Sequence, residues 1–251
     1  MNASGFKYSV RLPLVTCPAN LEWLGSKFLA TLDALTELDS NIFSDWEVGD
    51  LPAMKGYPLA VARSRIAEIV SRNVRSDGYT AVAHTTTGAR SRRMSFCART
   101  WLGEAWLDAG DVMVSPDPAI VTFPLFRAAL LAIHSIWPSS WACAQAFQSN
   151  TVKVPIENSP SGQGYSLEVG PMIPADPTFP ESIFHIPWIA YLCAPLACGV
   201  KLPLEIQTER TPDGGLLLIA TEERLDPDLP EHARRARILA ETLIECTGNR
   251  S

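Results

Sequence analysis

The feature that most constrains the fold is a β-hairpin in the last quarter of the chain. Two strand-like segments, residues 204–210 and 216–221, flank the turn sequence Thr211-Pro212-Asp213-Gly214-Gly215. Pro, Asp and Gly suit tight turns because Pro fixes φ, whereas Gly and Asp tolerate a positive φ. A hairpin pairs its strands antiparallel, so the chain is expected to contain an antiparallel sheet.

Periodic segments along the rest of the chain define further elements. Helices are predicted over residues 20–38, 59–70, 123–137 and 230–246, with the start of another at 187–192. Strands are predicted at residues 6–12, 79–87, 94–103, 141–147 and 151–156, and an irregular connection at 158–182. Helices and hairpins are interspersed without strict βαβ alternation. We therefore predict an α+β fold, with antiparallel sheets built from hairpins and packed against several helices.

Composition limits the domain count and the class of partner. With 251 residues, 47% of them hydrophobic, the chain can bury a sizeable core, and we expect one compact domain over residues 1–251. The net charge of −6 argues against DNA, RNA or an anionic membrane as main partner, because phosphate binding needs clustered cations. Residues 101–251 hold 9 basic and 18 acidic side chains. This part is the expected face for a basic partner.

A cluster of arginines interrupts the acidic character. Residues 63–99 hold eight arginines against Glu68 and Asp77. Such a patch can contact a carboxylate-rich partner or nucleic acid. The commoner arrangement, which we favour, is a solvated hairpin tip whose arginines pair with the protein's own acids.

Cysteine spacing and the first residues indicate the compartment. The six cysteines lie far apart, at Cys17, Cys97, Cys143, Cys193, Cys198 and Cys246. No C-x-x-C pair occurs, so neither a metal knuckle nor a disulfide framework is expected. The start of the sequence lacks the basic and apolar regions of a signal peptide, and no uninterrupted apolar stretch reaches membrane-spanning length. We expect reduced thiols and a cytoplasmic location.

An acidic segment with two large aromatic residues is the first candidate binding surface. Residues 39–50 are predicted to form a loop between two helices, without His, Cys or Lys. A large aromatic ringed by carboxylates has the composition of a protein-binding hot spot. The predicted contact residues are Phe43, Asp45, Trp46, Glu47 and Asp50. The alternative is that Trp46 plugs the core beside a helix end.

A second acidic segment follows the hairpin, with carboxylates at Glu222, Glu223, Asp226 and Asp228. A glycosidase-like or metal-dependent site would need two of them to converge in one cleft. Carboxylates in such a loop are usually solvated. If they act, an acidic patch for a basic partner is the favoured role.

Sequence signatures of catalysis are missing. The four histidines, His84, His134, His185 and His232, lie in different predicted elements, and none has a second ligand at metal spacing. The sequence contains no G-x-S-x-G elbow, phosphate loop or dinucleotide fingerprint in its usual setting. We expect no enzyme activity, no cofactor and no metal.

Four segments together resemble the immunity protein 52 family. They are LEWLGSKFL at residues 21–29, DWE at 45–47, LPAMKGYPL at 51–59 and TERTPDGGLL at 208–217. The resemblance implies a cytoplasmic immunity protein encoded beside a polymorphic or type VI secreted toxin, often one with a restriction-endonuclease fold. It supplies no binding-residue motif, so the contact residues above rest on the physical argument alone.

The expected function is therefore to bind and neutralise a cognate toxin by stoichiometric occlusion. Aromatic anchors would supply affinity, and carboxylates would speed encounter. A homodimer is left open. Two alternatives remain: an uncharacterised hydrolase that uses Glu222, Glu223 or His185, and a structural subunit that scaffolds other proteins.

Overall fold

The computed structural model describes residues 6–12, 21–75, 78–86, 95–101, 112–115, 120–148, 150–153, 166–169 and 186–248. The strands are β1 (Phe6–Arg11), β2 (Trp46–Asp50), β3 (Lys55–Pro58), β4 (Val74–Arg75), β5 (Gly78–Thr85), β6 (Ser95–Trp101), β7 (Val112–Ser115), β8 (Trp141–Gln148), β9 (Asn150–Lys153), β10 (Ser166–Val169), β11 (Ile186–Leu192), β12 (Gln207–Arg210) and β13 (Leu216–Ile219). The helices are α1 (Leu21–Leu38), α2 (Leu59–Ala62), α3 (Ile66–Arg72), α4 (Phe123–Ile136), α5 (Ala194–Ala197) and α6 (Pro230–Gly248).

Eleven of the described strands form one antiparallel sheet. Its order is β12-β13-β11-β8-β1-β7-β6-β5-β2-β3, and β4 pairs with β5 beside this path. β9 and β10 form a separate two-stranded ribbon. β1 lies inside the sheet because it pairs with β7 on one side and with β8 on the other. The combination of helices with antiparallel sheets confirms the predicted α+β class.

Apolar side chains pack on both faces of the sheet. Leu217 of β13 belongs to the same cluster as Phe28 of α1 and Leu130 of α4. Its neighbour Leu218 belongs to the cluster that contains Leu239 of α6. Successive side chains of a strand point to opposite faces, so α1 and α4 cover one face and α6 covers the other. Burial of each such leucine stabilises the fold by about 1.5–3 kcal/mol.

Trp137 fixes α1 against the end of α4. Its Nε1 donates a hydrogen bond of 2.6 Å to Thr31 Oγ1, and its ring meets Trp23 edge-on with centroids 5.4 Å apart. Thr122 caps the other end of α4, because its Oγ1 accepts a bond from the backbone N of Leu125. The two helices are therefore held as a pair across the α1 face of the sheet.

The predicted hairpin is confirmed. β12 and β13 pair in register from Gln207 with Ile219 to Arg210 with Leu216, and Gly214 adopts a φ of 82° in the turn. Three of the predicted helices, which correspond to α1, α4 and α6, are also confirmed with nearly the predicted bounds. The same is true of the strands β1, β5, β6 and β8.

One predicted helix is a strand. Residues 187–192 lie in β11, which pairs with β8 on one side and with β13 on the other. A strand buried on both faces reads as a continuous apolar run, and such a run cannot be told from a helix by its period. The register shifts between Pro187 and Ile189, so Trp188 is the extra residue of a β-bulge.

Other predicted bounds need correction. The helix predicted over residues 59–70 is broken into α2 and α3 by a 3-10 turn, Arg63–Arg65, since Arg65 has non-helical dihedral angles of −127° and 13°. The loop predicted over residues 39–50 ends early, because Trp46 begins β2. The irregular connection over 158–182 contains β10, and its remaining residues lie outside the described ranges.

Candidate partner-binding surface

The two aromatic residues of the first acidic segment lie in the core. Trp46 is 3% exposed and Phe43 is 1% exposed, and their rings stack with centroids 6.3 Å apart. Trp46 Nε1 donates a hydrogen bond of 3.1 Å to Thr36 Oγ1 on α1. In β2, Trp46 and Val48 point towards the α1 face, as the alternation of a strand requires. Trp46 is thus a core plug in this structure, which was the alternative to an exposed anchor.

The carboxylates of this segment divide between surface and interior. Asp45 is exposed and has a positive φ of 51°. Glu47 is half-buried, with its Oε2 3.4 Å from His84 Nε2. Asp50 is 2% exposed and accepts a hydrogen bond of 3.0 Å from Arg72 Nε. Asp45 and Glu47 therefore remain available as partner contacts, whereas Asp50 belongs to an internal ion pair and its assignment as a surface contact needs correction.

The second acidic segment, residues 222–228, is on the surface. Glu222, Glu223 and Asp228 are exposed, and Asp226 is half-buried. Leu225 between them is fully buried, and its carbonyl accepts a hydrogen bond of 2.6 Å from Tyr8 Oη. This buried residue anchors the middle of the segment to β1, so the carboxylates on either side stay at the surface.

Further hydrogen bonds order the same segment. The backbone N of Glu223 donates to Thr221 Oγ1 (3.1 Å), and the backbone N of Asp226 donates to His232 Nδ1 (3.1 Å). Gln207 Nε2 of β12 donates to Glu222 Oε1 at 2.7 Å. An ordered acidic surface meets a basic partner with little loss of conformational entropy. The binding role of the segment itself stays a prediction.

The described residues give little support to the hydrolase alternative. His232 Nε2 lies 3.7 Å from Glu223 Oε2, while its Nδ1 accepts the bond from Asp226. His185, the other proposed catalytic histidine, lies outside the described ranges. Within those ranges, no group of three His, Cys, Asp or Glu residues could hold a metal ion. Cys143, Cys193, Cys198 and Cys246 are free thiols.

Three of the eight arginines predicted to pair with the protein's own acids do so. Arg63 pairs with Asp33 of α1, and Arg65 pairs with Glu68 at 2.8 Å. Arg72 bridges Glu68 and Asp50. Residues 90–93, which hold three more of the arginines, lie outside the described ranges.

The turn between β12 and β13 contains a strongly hydrogen-bonded carboxylate. Thr211 Oγ1 donates to Asp213 Oδ1 at 2.5 Å, and Tyr191 Oη donates to Oδ2 at 2.6 Å. These bonds, that of Thr211 first, lower the pKa of Asp213 from 3.8 to about 2. Burial raises the pKa of Tyr191 and keeps its hydroxyl a donor.

We expect Asp213→Asn to destabilise the protein in a pH-dependent way. The folded-state pKa of Asp213 lies below its unfolded value, so its charge contributes stability above about pH 4, and that contribution is lost as pH falls towards 2. Urea unfolding of both proteins from about pH 6 to pH 2.5 should show a difference that shrinks with acidification. A difference that is constant with pH would contradict this role.

Sequence reasoning overlooked the turn between β2 and β3. Residues 51–54 are all exposed, and Met54 is 94% exposed with a φ of 50°. The sequence signal was present: four residues, Leu51-Pro52-Ala53-Met54, without a charge or a hydrogen-bonding side chain in a surface turn. Turns are normally rich in Gly, Asn, Asp and Ser, so an apolar turn is unusual.

No protein-family model matches the chain, and no curated protein matches it. Among solved structures, it is similar to the Pseudomonas aeruginosa T6SS protein PA0821, with a TM-score of 0.46 and 13% sequence identity. The match covers 86% of this chain and 65% of that protein, so the chain spans less than two thirds of its length. The immunity protein 52 family stays a predicted resemblance.

None of the helices within the described ranges combines enough residues with enough apolar character to cross a membrane.

Proposed function

We propose that this protein is a cytoplasmic immunity protein of a type VI or other polymorphic toxin system. It binds a cognate secreted toxin, of which a restriction-endonuclease-fold nuclease is the favoured class, and occludes it in a stoichiometric complex. Support comes from the resemblance of four sequence segments to the immunity protein 52 family and from the acidic net charge of −6. No chemical step is needed for this activity.

The structural observation that carries the proposal is the ordered acidic segment 222–228. Glu222 and Glu223 are adjacent and exposed, and the segment is anchored through Leu225 to β1. A nuclease must present cations to the phosphates of its substrate, so its groove is a natural target for fixed carboxylates. Opposite charges on the two proteins raise the association rate and orient the encounter.

We expect full inhibition of the toxin at an equimolar ratio. The toxin domain encoded beside this gene would be titrated with the purified protein, and nuclease activity measured at each ratio. Stoichiometric occlusion predicts a linear loss of activity that ends near 1:1. Inhibition at strongly substoichiometric amounts, with the toxin recovered chemically modified, would show an enzyme instead and would support the hydrolase alternative.

A charge-neutral variant tests the acidic segment in the same assay. Glu222→Gln with Glu223→Gln keeps the shape and the Gln207 contact while removing two charges. The variant should associate more slowly at low salt and match the native protein at high salt, because screening removes long-range attraction. Glu241→Gln with Glu245→Gln is a matched control, because both carboxylates are exposed on α6 and form no ion pair with the described residues.

A further inference from the structure

The turn Leu51-Pro52-Ala53-Met54, which we call the tip, is an exposed apolar surface. All four residues are exposed, with Met54 at 94%. The tip joins β2 to β3, and β3 is the last strand at its end of the sheet. The tip is therefore an exposed hairpin turn at one end of the sheet.

Two buried polar residues hold the tip in one conformation. Asn73 accepts a hydrogen bond of 2.7 Å from the backbone N of Leu51, and its Nδ2 donates to the carbonyl of Gly49 at 2.8 Å. Asp50 accepts a hydrogen bond of 3.4 Å from the backbone N of Ala53 and forms an ion pair with Arg72. Asn73 and Asp50 are each almost fully buried. The tip is thus rigid before any partner binds, which lowers the entropy cost of binding.

The backbone at Met54 is unfavourable for the residue that occupies it. Its φ of 50° lies in the left-handed region, where Gly, Asn or Asp is the usual residue. Hairpin turns place glycine at such positions without strain. A methionine here costs backbone energy and exposes apolar surface, and it supplies a flexible side chain that adapts to irregular pockets. At 94% exposure, the methionine side chain gains little stabilisation from burial in the fold.

A lysine without an ion-pair partner follows the tip directly. Lys55 Nζ lies 4.8 Å from the centre of the Tyr57 ring, and no carboxylate among the described residues forms an ion pair with it. Arg65 also contacts the Tyr57 ring, but its charge is matched by Glu68. Lys55 therefore favours a carboxylate on the partner surface beside the bound tip.

We propose that the tip is a docking site for the toxin, and that Leu51 and Met54 enter an apolar pocket whose rim carries carboxylates. This inference rests on the proposed function and names a second contact surface for it. The tip lies at the β3 end of the sheet, whereas segment 222–228 contacts β12 at the other end. The two surfaces have opposite charge preferences, so each recognises a different part of the toxin.

The test compares the same charge inside and outside the tip. Met54→Asp introduces a carboxylate at the tip, and Val61→Asp introduces one at an exposed apolar residue of α2 that belongs to neither proposed surface. The probe is a catalytically inactive variant of the toxin domain encoded beside this gene, and binding is measured by calorimetry. Met54→Asp should raise the Kd at least about tenfold, while Val61→Asp should leave it unchanged within about twofold.

Met54→Gly separates docking from a structural role. Glycine relieves the positive φ, so the variant should unfold at the same or a higher urea concentration than the native protein and yet bind more weakly. Lys55→Glu should slow association at low salt. If the native protein does not bind the toxin, the proposed function fails. If it binds and the Met54 variants bind equally well, the tip is not a docking site.

Discussion

Trp46→Ala is expected to lower the free energy of unfolding by about 3–5 kcal/mol, the range for removal of a buried aromatic side chain. The indole is 3% exposed, stacks on Phe43 and donates to Thr36 of α1. Its loss opens a cavity between β2 and α1 and leaves the Thr36 hydroxyl without this donor. Urea unfolding followed by circular dichroism would measure the change.

Two further variants show whether Trp46 acts through the core. Trp46→Phe should recover most of the stability, since the ring stays while the hydrogen bond is lost. Asp45→Ala, at the exposed neighbouring position, should change stability much less. A fully stable Trp46→Ala protein that binds toxin weakly would reverse our assignment, because only an exposed anchor behaves in that way.

Trp188→Ala is expected to destabilise the protein by a similar amount, about 3–5 kcal/mol. Trp188 is fully buried at the bulge of β11, and its ring stacks on Phe126 of α4 with centroids 5.5 Å apart. Its Nε1 donates a hydrogen bond of 2.9 Å to the carbonyl of Thr221, directly before the acidic segment. The substitution therefore removes core volume and leaves a buried carbonyl without its donor.

The two contributions of Trp188 can be measured apart. Trp188→Phe keeps most of the ring volume but cannot donate to Thr221, so a smaller loss of about 1–3 kcal/mol is expected. Both variants should be assayed for toxin association at low salt, because a displaced Thr221 would disturb Glu222 and Glu223. Equal stability of Trp188→Ala and the native protein would show that α4 packs on the sheet without this residue.

The elements with a clear period or a strong turn were predictable from sequence. The β12–β13 hairpin follows from its Pro, Asp and Gly residues, and α1, α4 and α6 follow from apolar spacing. β11 was not predictable in this way. Its side chains are buried on both faces, so the alternation that marks a strand is absent, and only its pairing with β8 and β13 decides its conformation.

The sequence predicted which residue types the candidate surface contains, but not which of its side chains point outward. Residues 43–50 contain the aromatic and acidic side chains of a hot spot, yet the alternation of β2 turns Trp46 inward and leaves Glu47 outward. Because residues 39–50 were predicted to form a loop, the inward and outward alternation of a strand was not applied to them. The tip was not predicted either, because its backbone is held by Asn73, more than twenty residues away in the chain.

The position of β1 has a consequence for how the protein forms during synthesis. Tyr8 pairs with Ala146 of β8, and its hydroxyl reaches Leu225. The ribosome makes β1 long before β8. The edge of β1 that pairs with β8 therefore stays unpaired until more than half of the chain has been synthesised. Contacts between such distant residues slow folding, because a long loop must close before they form. A freshly made chain therefore gains its ordered acidic segment 222–228 late for two reasons: these residues are synthesised last, and their anchor Tyr8 lies on the strand that must wait for β8.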